Sequence, residues 1–277
     1  MHIHAFSPLE VTHGAESLGI TVREFLAELK KVGLKTLPGT AAEILSDDVR
    51  AEICPDKLNT GQWLDVVGTA HDLGLSTTAT IMFGHVDRYE HWAIHLLRVL
   101  ELQQRSGGIT EFVPLPFVAD EAPIYRRGQS RRGPTLREAV LMHAVSRLVL
   151  SPQIRNIQTS WVKMGLEGAA LCLQAGANDL GGTLMNESIT RAAGASHGQE
   201  MKPEILEGVI ASCQRLPYQR NTFYEPVDSR KPVGLSNEVD IIGSAYTDFY
   251  GNPFRERPIT ILTEPSAHYP ASARRHS

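Results

Sequence analysis

The order of predicted secondary structure constrains this chain more than any other feature. Six short β-rich runs alternate with amphipathic helical segments, and the clearest run is STTATIMF at 76–83. Strands that alternate with helices pair in parallel through right-handed crossovers. The predicted strands lie at 2–7, 34–39, 76–83, 111–117, 154–161 and 176–182. The sequence therefore predicts an α/β fold built on a parallel sheet.

The segments between these runs have helical periodicity and helix-start signals. Thr21 with Glu24, and Thr135 with Glu138, have the spacing of capping boxes. The predicted helices lie at 21–33, 41–52, 60–73, 87–105, 136–150, 164–175, 186–193 and 203–215.

Two closures suit such a chain, an open doubly wound sheet and a barrel. No GxGxxG turn follows any run, whereas polar residues cluster at many strand ends, as barrel active sites require. A closed barrel of this type needs about eight strands. Since the chain also opens inside a strand, we predict a partial TIM-like barrel over 1–224 that lacks its first two β/α units, and a largely disordered tail over 225–277.

Composition limits the binding partners and the cellular compartment that the sequence predicts for this protein. The 277 residues carry a net charge of −4, which does not favour a nucleic-acid or anionic-membrane surface. No apolar run approaches the ~20 residues that span a bilayer, and the N-terminus does not resemble a signal peptide. The three cysteines, Cys54, Cys172 and Cys213, are widely spaced, as is typical of reduced thiols in a cytoplasmic protein.

Working residues of a β/α barrel lie at the carboxyl ends of its strands. His85 ends a buried run and suits a general acid or base, or alternatively begins the next helix. The rule selects further residues at the other strand ends, namely Ser7, Glu43, Thr80, Met82, Glu111, Gln158, Ser160, Asn178 and Asp179. Gln158 and Ser160 beside Trp161 could bind a heterocycle or be packing and capping residues. Asn178-Asp179 could contact a ligand or form only an Asx turn.

The histidines and arginines allow further interpretations. His2 and His4 have the spacing of zinc ligands on a barrel strand, with His85 and Asp179 as further ligands. They begin the strand, however, whereas ligands belong at its far end, so packing histidines are the favoured alternative and no metal site is predicted. His91 and His95 share one helical face without an evident third ligand. A loop rich in arginine either is exposed to solvent or forms a lid over an anionic ligand. Its arginines are Arg126, Arg127, Arg131 and Arg132.

Several long motifs recur in order near the predicted strands. They are HIHAFSPLEV, LPGTAAEILSDDVR, TTATIMFGH, GGITEFVPLPFV, NIQTSWVKMG, GANDLGGTLMNESITRAAGASHG and RLPYQRNTFY. Together they resemble the FO synthase subunit 2 family of radical S-adenosylmethionine (SAM) enzymes, over residues 1–224. The second half of the fused actinobacterial FO synthase matches equally well.

This resemblance implies an activity and cofactors. The implied reaction joins the 4-hydroxybenzyl group of L-tyrosine to 5-amino-6-(D-ribitylamino)uracil in deazaflavin coenzyme biosynthesis. The implied cofactors are SAM and a four-iron–four-sulfur cluster, and the implied partner is FO synthase subunit 1 or a fused N-terminal half. We assign catalysis to His85 and Asp179, cofactor binding to Ser7, Glu43, Thr80 and Met82, and substrate binding to Glu111, Gln158, Ser160 and Asn178.

The sequence departs from the family at the cluster loop. No CxxxCxxC motif is present, and the three cysteines are too far apart in sequence to replace it. The chain is therefore expected to be a fragment of an active transferase, or else a non-catalytic remnant or partner-dependent binding module. The menaquinone-pathway enzymes, aminofutalosine synthase and the futalosine cyclase, remain a close alternative, and a zinc-dependent barrel hydrolase remains a third.

Overall fold

A computed structural model describes residues 2–227. The tail predicted over 225–277 therefore lies almost entirely outside the described residues. No helix in the described part is long and apolar enough to cross a membrane.

The sheet contains parallel strands that follow one another in chain order. They are β1 (Ile3–His4), β2 (Leu34–Leu37), β3 (Ser76–Phe83) and β4 (Ile109–Pro116). The β3–β4 pair is the longest, and its register runs from Thr77 opposite Ile109 to Phe83 opposite Pro116. The α/β class and the parallel sheet predicted from the sequence are confirmed.

The prediction of six strands needs correction, because the fifth and sixth runs do not form full strands. They join the sheet only through isolated parallel bridges, Phe112 with Ile157 and Gln158 with Asp179. One reason is that the backbone N–H of Ile157 donates to the side-chain Oδ1 of Asn178 at 2.8 Å. In a regular parallel ladder this N–H would donate to a backbone carbonyl of the neighbouring strand. The six segments nevertheless keep a parallel, sequential order, which is consistent with part of a β/α barrel.

Helices connect these segments. They are α1 (Pro8–Leu18), α2 (Val22–Lys31), α3 (Asp47–Ile53), α4 (Thr60–Asp72), α5 (Tyr89–Ser106), α6 (Pro123–Arg126), α7 (Leu136–Leu150), α8 (Trp161–Gln174), α9 (Ile189–Ala192) and α10 (Pro203–Ser212). The predicted helices at 21–33, 60–73, 87–105, 136–150 and 203–215 agree with this arrangement within a few residues.

Three helical predictions were wrong in part, and the first helix was not predicted at all. The sequence reasoning missed α1, although Ser7 and Glu10 form a capping box with Pro8 in the first turn. The helix predicted to begin at residue 41 begins at Asp47. The helix predicted at 186–193 shortens to a single turn, and α8 is interrupted at Gly165, whose φ of 66° and ψ of 176° are not helical.

The two faces of the sheet have different neighbours. Phe83 packs edge-on against Trp92 of α5 at 5.2 Å between ring centroids, and Phe112 lies 5.9 Å from the His95 ring. Because side chains alternate along a strand, the intervening residues point away from these helices. We call that opposite side the inner face. It carries Thr78, Thr80 and Met82 of β3 and Glu111, Val113 and Leu115 of β4.

Candidate functional site

Two threonines on the inner face of β3, Thr78 and Thr80, bind the turn that follows β2. The Thr78 hydroxyl accepts the backbone N–H of Gly39 at 2.7 Å, and the Thr80 hydroxyl donates to the Gly39 carbonyl at 2.8 Å. Both threonines are buried. Thr80, predicted as a cofactor-binding residue, therefore uses its hydroxyl within the protein.

Four charged or phenolic side chains converge further along the inner face. Arg220 donates from Nε to Asp179 Oδ2 at 2.7 Å and from Nη2 to Asp179 Oδ1 at 2.9 Å, which makes a two-pronged ion pair. The Tyr224 hydroxyl donates to Glu111 Oε2, and Arg220 Nη2 lies 3.3 Å from the Tyr224 oxygen. The guanidinium carbon of Arg220 also stands 4.2 Å above the Tyr224 ring. We call Glu111, Asp179, Arg220 and Tyr224 the inner-face quartet.

Burial and the neighbouring charges together shift the pKa values of Glu111, Arg220 and Tyr224. Burial raises the pKa of Glu111, and the nearby Asp179 charge raises it further, while the Tyr224 hydrogen bond and the Arg220 charge oppose this. Burial alone would lower the pKa of Arg220, but the hydrogen bonds and charge of Asp179 raise it. Burial and the two carboxylates raise the pKa of Tyr224. Arg220 is thus a fixed cation, and Tyr224 remains a neutral hydrogen-bond donor.

A short C-terminal hairpin, residues 219–227, carries Arg220 and Tyr224 to this site. Its two arms pair at Arg220 and Pro226, and Val227 donates to the Gln219 carbonyl at 3.0 Å. The Phe223 ring packs edge-on against the His2 ring at 5.0 Å. The hairpin therefore extends from Asp179, in the last segment of the sheet, to the residue that precedes β1.

A second cluster contains other predicted site residues. Met82 donates its backbone N–H to the Glu43 carbonyl at 2.7 Å, and its own carbonyl lies 3.0 Å from His85 Nε2. The Glu43 carboxylate pairs with Lys57 at 2.8 Å. Glu43, Met82 and His85 are thus neighbours, although they contact one another through the backbone carbonyls of Glu43 and Met82.

His85 is enclosed by its own loop. Its Nδ1 lies 2.8 Å from the Val86 backbone nitrogen and 3.2 Å from Asp87 Oδ1, and its Nε2 lies 3.0 Å from the Met82 carbonyl oxygen. Burial lowers the pKa of His85, against the opposing charge of Asp87. The His85 side chain is only 1% exposed and packs edge-on against Phe117. Within residues 2–227 no hydrogen bond or ion pair links it to Asp179.

The remaining predicted residues have separate locations. Ser7 is buried and uses its hydroxyl in the capping box with Glu10. Ser160 precedes α8 as its N-cap residue without a side-chain cap hydrogen bond. The Gln158 amide lies against Gly181, next to the quartet. Asn178 contacts Ile157 and Arg147 through its Oδ1, so it stabilises the pairing of the last two segments rather than facing the quartet.

Glu111 and Asp179 were predicted as site residues from the sequence, whereas Arg220 and Tyr224 were not. The signal was present, because both residues lie in the motif RLPYQRNTFY. It was overlooked because the barrel rule selects strand ends, whereas this motif follows the last predicted helix. Contacts between residues 41 to 113 positions apart in sequence cannot be obtained from local patterns.

The histidines and cysteines do not form a metal site in the described region. His2 Nε2 and His4 Nδ1 each lie 2.7 Å from the Thr36 hydroxyl, and no group of three or more His, Cys, Asp or Glu side chains could hold an ion among residues 2–227. Cys54, Cys172 and Cys213 are free thiols at the ends or within three different helices. Burial raises the pKa of Cys172 to about 12, whereas a cluster ligand is a thiolate. These cysteines do not fit the ligand set of an iron–sulfur cluster.

The other histidine and arginine groups have structural partners. His91 pairs with Asp48 at 3.2 Å, and fully buried His95 accepts the backbone N–H of Leu45 at 2.9 Å. Both are therefore packing residues. In the arginine-rich loop, Arg126 and Arg131 pair with Glu121 and Glu138.

Comparison with known proteins identifies similar sequences. Residues 106–233 match the family model described as the CofH/MqnC C-terminal region. The chain is 52% identical over 228 residues to the 5-amino-6-(D-ribitylamino)uracil–L-tyrosine 4-hydroxyphenyl transferase of Archaeoglobus fulgidus, covering 82% of this chain and 66% of that protein. The protein of the same name from Methanocaldococcus jannaschii is 48% identical over 225 residues, covering 81% and 63%.

A longer protein contains a similar region. FO synthase of Streptomyces coelicolor is 49% identical over 231 residues, which are 83% of this chain and 27% of that protein. The chain spans slightly less than two thirds of the length of the archaeal relatives it matches.

Proposed function

We propose that the chain belongs to the CofH/MqnC family and forms the substrate-binding part of a transferase that acts on L-tyrosine and 5-amino-6-(D-ribitylamino)uracil. The observation that carries this proposal is identity of about half the residues, over four fifths of the chain, to proteins named for that transfer. We propose further that the group transferred is the 4-hydroxybenzyl group of L-tyrosine.

The inner face supplies the chemistry that this proposal needs. Glu111 of the quartet and the Gln158 amide next to it offer hydrogen-bond acceptors. The aminouracil ring presents several N–H donors, and tyrosine presents a phenol O–H. Small polar substrates of this kind are recognised by a few fixed acceptors and donors in a partly buried site. We therefore place the substrates against Glu111 and Gln158.

The residues of this chain fit only part of the cofactor set that the family resemblance implies. SAM and an iron–sulfur cluster are implied by the family resemblance, and the cluster would supply electrons to cleave SAM. The cysteines of this chain do not fit cluster ligation, so no step is assigned to a cluster held by them. Of the residues proposed for SAM, Glu43 and Met82 are neighbours, whereas Ser7 and Thr80 use their hydroxyls internally.

The proposed partner is FO synthase subunit 1 or a fused N-terminal half, in the cytoplasm. This agrees with the similarity of the chain to about a quarter of the longer Streptomyces FO synthase.

Direct binding tests this proposal. The purified chain is titrated calorimetrically with 5-amino-6-(D-ribitylamino)uracil, with L-tyrosine, and with a futalosine-type nucleoside as comparison. We expect the first two to bind and the nucleoside not to bind. Glu101→Gln, which alters an exposed residue of α5, serves as a matched control for later Glu variants. Binding of the nucleoside alone would assign the chain to the menaquinone branch, and binding of none of the three would contradict the proposal.

A further inference from the structure

The two carboxylates of the inner-face quartet differ in what their oxygens contact. Asp179 Oδ1 accepts the Gly181 backbone N–H at 2.6 Å and Arg220 Nη2 at 2.9 Å, while Oδ2 accepts Arg220 Nε at 2.7 Å. The Asp179 side chain is 8% exposed. Both carboxylate oxygens of Asp179 are therefore engaged by protein donors, and neither is left for a ligand.

Glu111 is in a different situation. Its Oε2 accepts the Tyr224 hydroxyl, but its Oε1 accepts no hydrogen bond from residues 2–227. Arg220 Nη2 stands 3.7 Å from Oε2, close enough for charge attraction but too far for a hydrogen bond. The Glu111 side chain is 13% exposed on the inner face. One carboxylate oxygen is thus left for a ligand, while the other is held in place.

We propose that Glu111 is the proton-accepting group of the substrate site, that Tyr224 and Arg220 are its positioning residues, and that Asp179 anchors Arg220. This inference rests on the proposed function for the identity of the ligands. The acceptor oxygen, Oε1, takes an N–H or O–H proton from a bound substrate. In that transfer the substrate N–H or O–H bond breaks, its electron pair stays on the substrate, and an O–H bond forms on Glu111.

Charges around Glu111 suit this role. The groups that face it are Tyr224, Asp179 and Arg220. Burial and the Asp179 charge raise the pKa of Glu111, which increases the basicity of its carboxylate relative to an exposed glutamate. Tyr224 and Arg220 act in the opposite direction by stabilising the carboxylate, so the two positioning residues keep it available as an acceptor.

The hairpin explains why these two residues can be positioned together. Asn221 Oδ1 accepts the backbone N–H groups of Phe223 and Glu225, at 2.8 and 3.0 Å, which closes the turn between Arg220 and Tyr224. The Arg220 guanidinium then lies over the Tyr224 ring while it also binds Asp179. A change at Arg220 therefore reaches Glu111 in two ways, through the Tyr224 hydroxyl and through the loss of the Arg220 charge 3.7 Å from Oε2.

Carboxyl-carbon NMR of the full chain, labelled with carbon-13 in its glutamate side chains, tests the arrangement itself. The Glu111 signal, identified by its loss in Glu111→Gln, should titrate at higher pH than the exposed glutamates. Arg220→Met and Tyr224→Phe should each move the Glu111 midpoint higher, because each removes a group that stabilises the carboxylate. Tyr218→Phe, at an exposed tyrosine of the same segment, should not move it. A Glu111 midpoint among the exposed glutamates, or one unmoved by both variants, overturns the proposal.

Calorimetry of the two ligands, each alone and as a function of pH, tests the acceptor role. The ligand whose proton faces Glu111 should bind more tightly as pH rises through the Glu111 midpoint. Glu111→Gln should remove this pH dependence and weaken binding by about 10- to 100-fold, and Tyr224→Phe should weaken it by about 3- to 10-fold. If the affinity for the aminouracil depends on pH, the proton donor to Glu111 is a ring N–H. If the affinity for tyrosine depends on pH, the donor is the phenol O–H. Binding that keeps its affinity and pH dependence in Glu111→Gln overturns the inference. Absence of all binding contradicts the proposed function instead, and the NMR titration then decides the arrangement on its own.

Discussion

Arg50 donates from Nε to the backbone carbonyl of Leu58 at 2.9 Å although the guanidinium is buried. The same side chain also donates to the carbonyls of Ala41, Ala42 and Ile44. It therefore satisfies the backbone of the irregular segment 41–46, which carries Glu43 to the edge of the second cluster. This explains why the predicted helix at 41–52 begins late, since these carbonyls bind Arg50 instead of helical N–H groups.

Replacing Arg50 should destabilise the protein strongly. Arg50→Met leaves several buried carbonyls without donors, and each such group costs about 1–3 kcal/mol. We expect the free energy of unfolding to fall by about 3 kcal/mol or more, measured by urea denaturation. Arg23→Met is the control, because Arg23 forms an exposed ion pair with Asp72 whose loss should cost less than about 1 kcal/mol. Equal effects of the two substitutions would contradict this role of Arg50.

Three buried histidines should make the fold sensitive to acid. Burial lowers the pKa of His71 and of His143 to about 4, and that of His95 to about 3. Because an unfolded histidine has a pKa near ~6.5, the unfolded state binds more protons between these values. Stability is therefore fully present above about pH 6.5 and decreases as the pH falls toward about 4.

His71→Gln measures one part of this effect. The wild type should lose stability between pH 7 and pH 5, and this loss should be smaller in the variant by about 2 kcal/mol. Urea denaturation at the two pH values gives the difference. His13→Gln, at an exposed histidine of α1, should keep the pH dependence of the wild type. If His71→Gln and the wild type lost equal stability, His71 would not be neutral in the folded protein.

Two glycines should respond in opposite directions to substitution by alanine. A Cβ on Gly39 would overlap the backbone carbonyl of Thr78, so Gly39→Ala should destabilise the protein by about 2 kcal/mol or more. A Cβ on Gly208 of α10 would meet no atom within 4 Å, so Gly208→Ala should stabilise it by about 0.5–1 kcal/mol. Thermal denaturation of both variants checks the two signs. Stabilisation by Gly39→Ala would mean that the turn after β2 is not packed against β3 as described.

Much of the fold follows from local patterns, and the site follows only in part. Run 76–83 became β3, and Thr135 with Glu138 does cap α7, because burial and capping are encoded by neighbouring residues. The two last runs were overestimated as strands because Asn178 takes over a backbone donor of Ile157, a contact across 21 positions. Arg220 was missed for the same reason, since only the folded chain brings it to Asp179. Distant pairs of this kind leave little trace in one sequence.

The loop around His85 provides a last test, through its carboxylate, Asp87. Asp87 is 5% exposed and accepts the backbone N–H groups of Gly84 and His85 at 2.7 to 3.0 Å, as well as the Trp92 indole N–H. Asp87→Asn replaces one acceptor oxygen by an NH2 donor, which faces other donors and leaves them unpaired. We expect the free energy of unfolding to fall by about 2–3 kcal/mol and the Trp92 fluorescence of the folded state to change. Asp65→Asn, at an exposed residue of α4, should do neither. A loss below about 0.5 kcal/mol with unchanged fluorescence would show that Asp87 does not hold this loop, and would return His85 to the residues free to move toward a substrate.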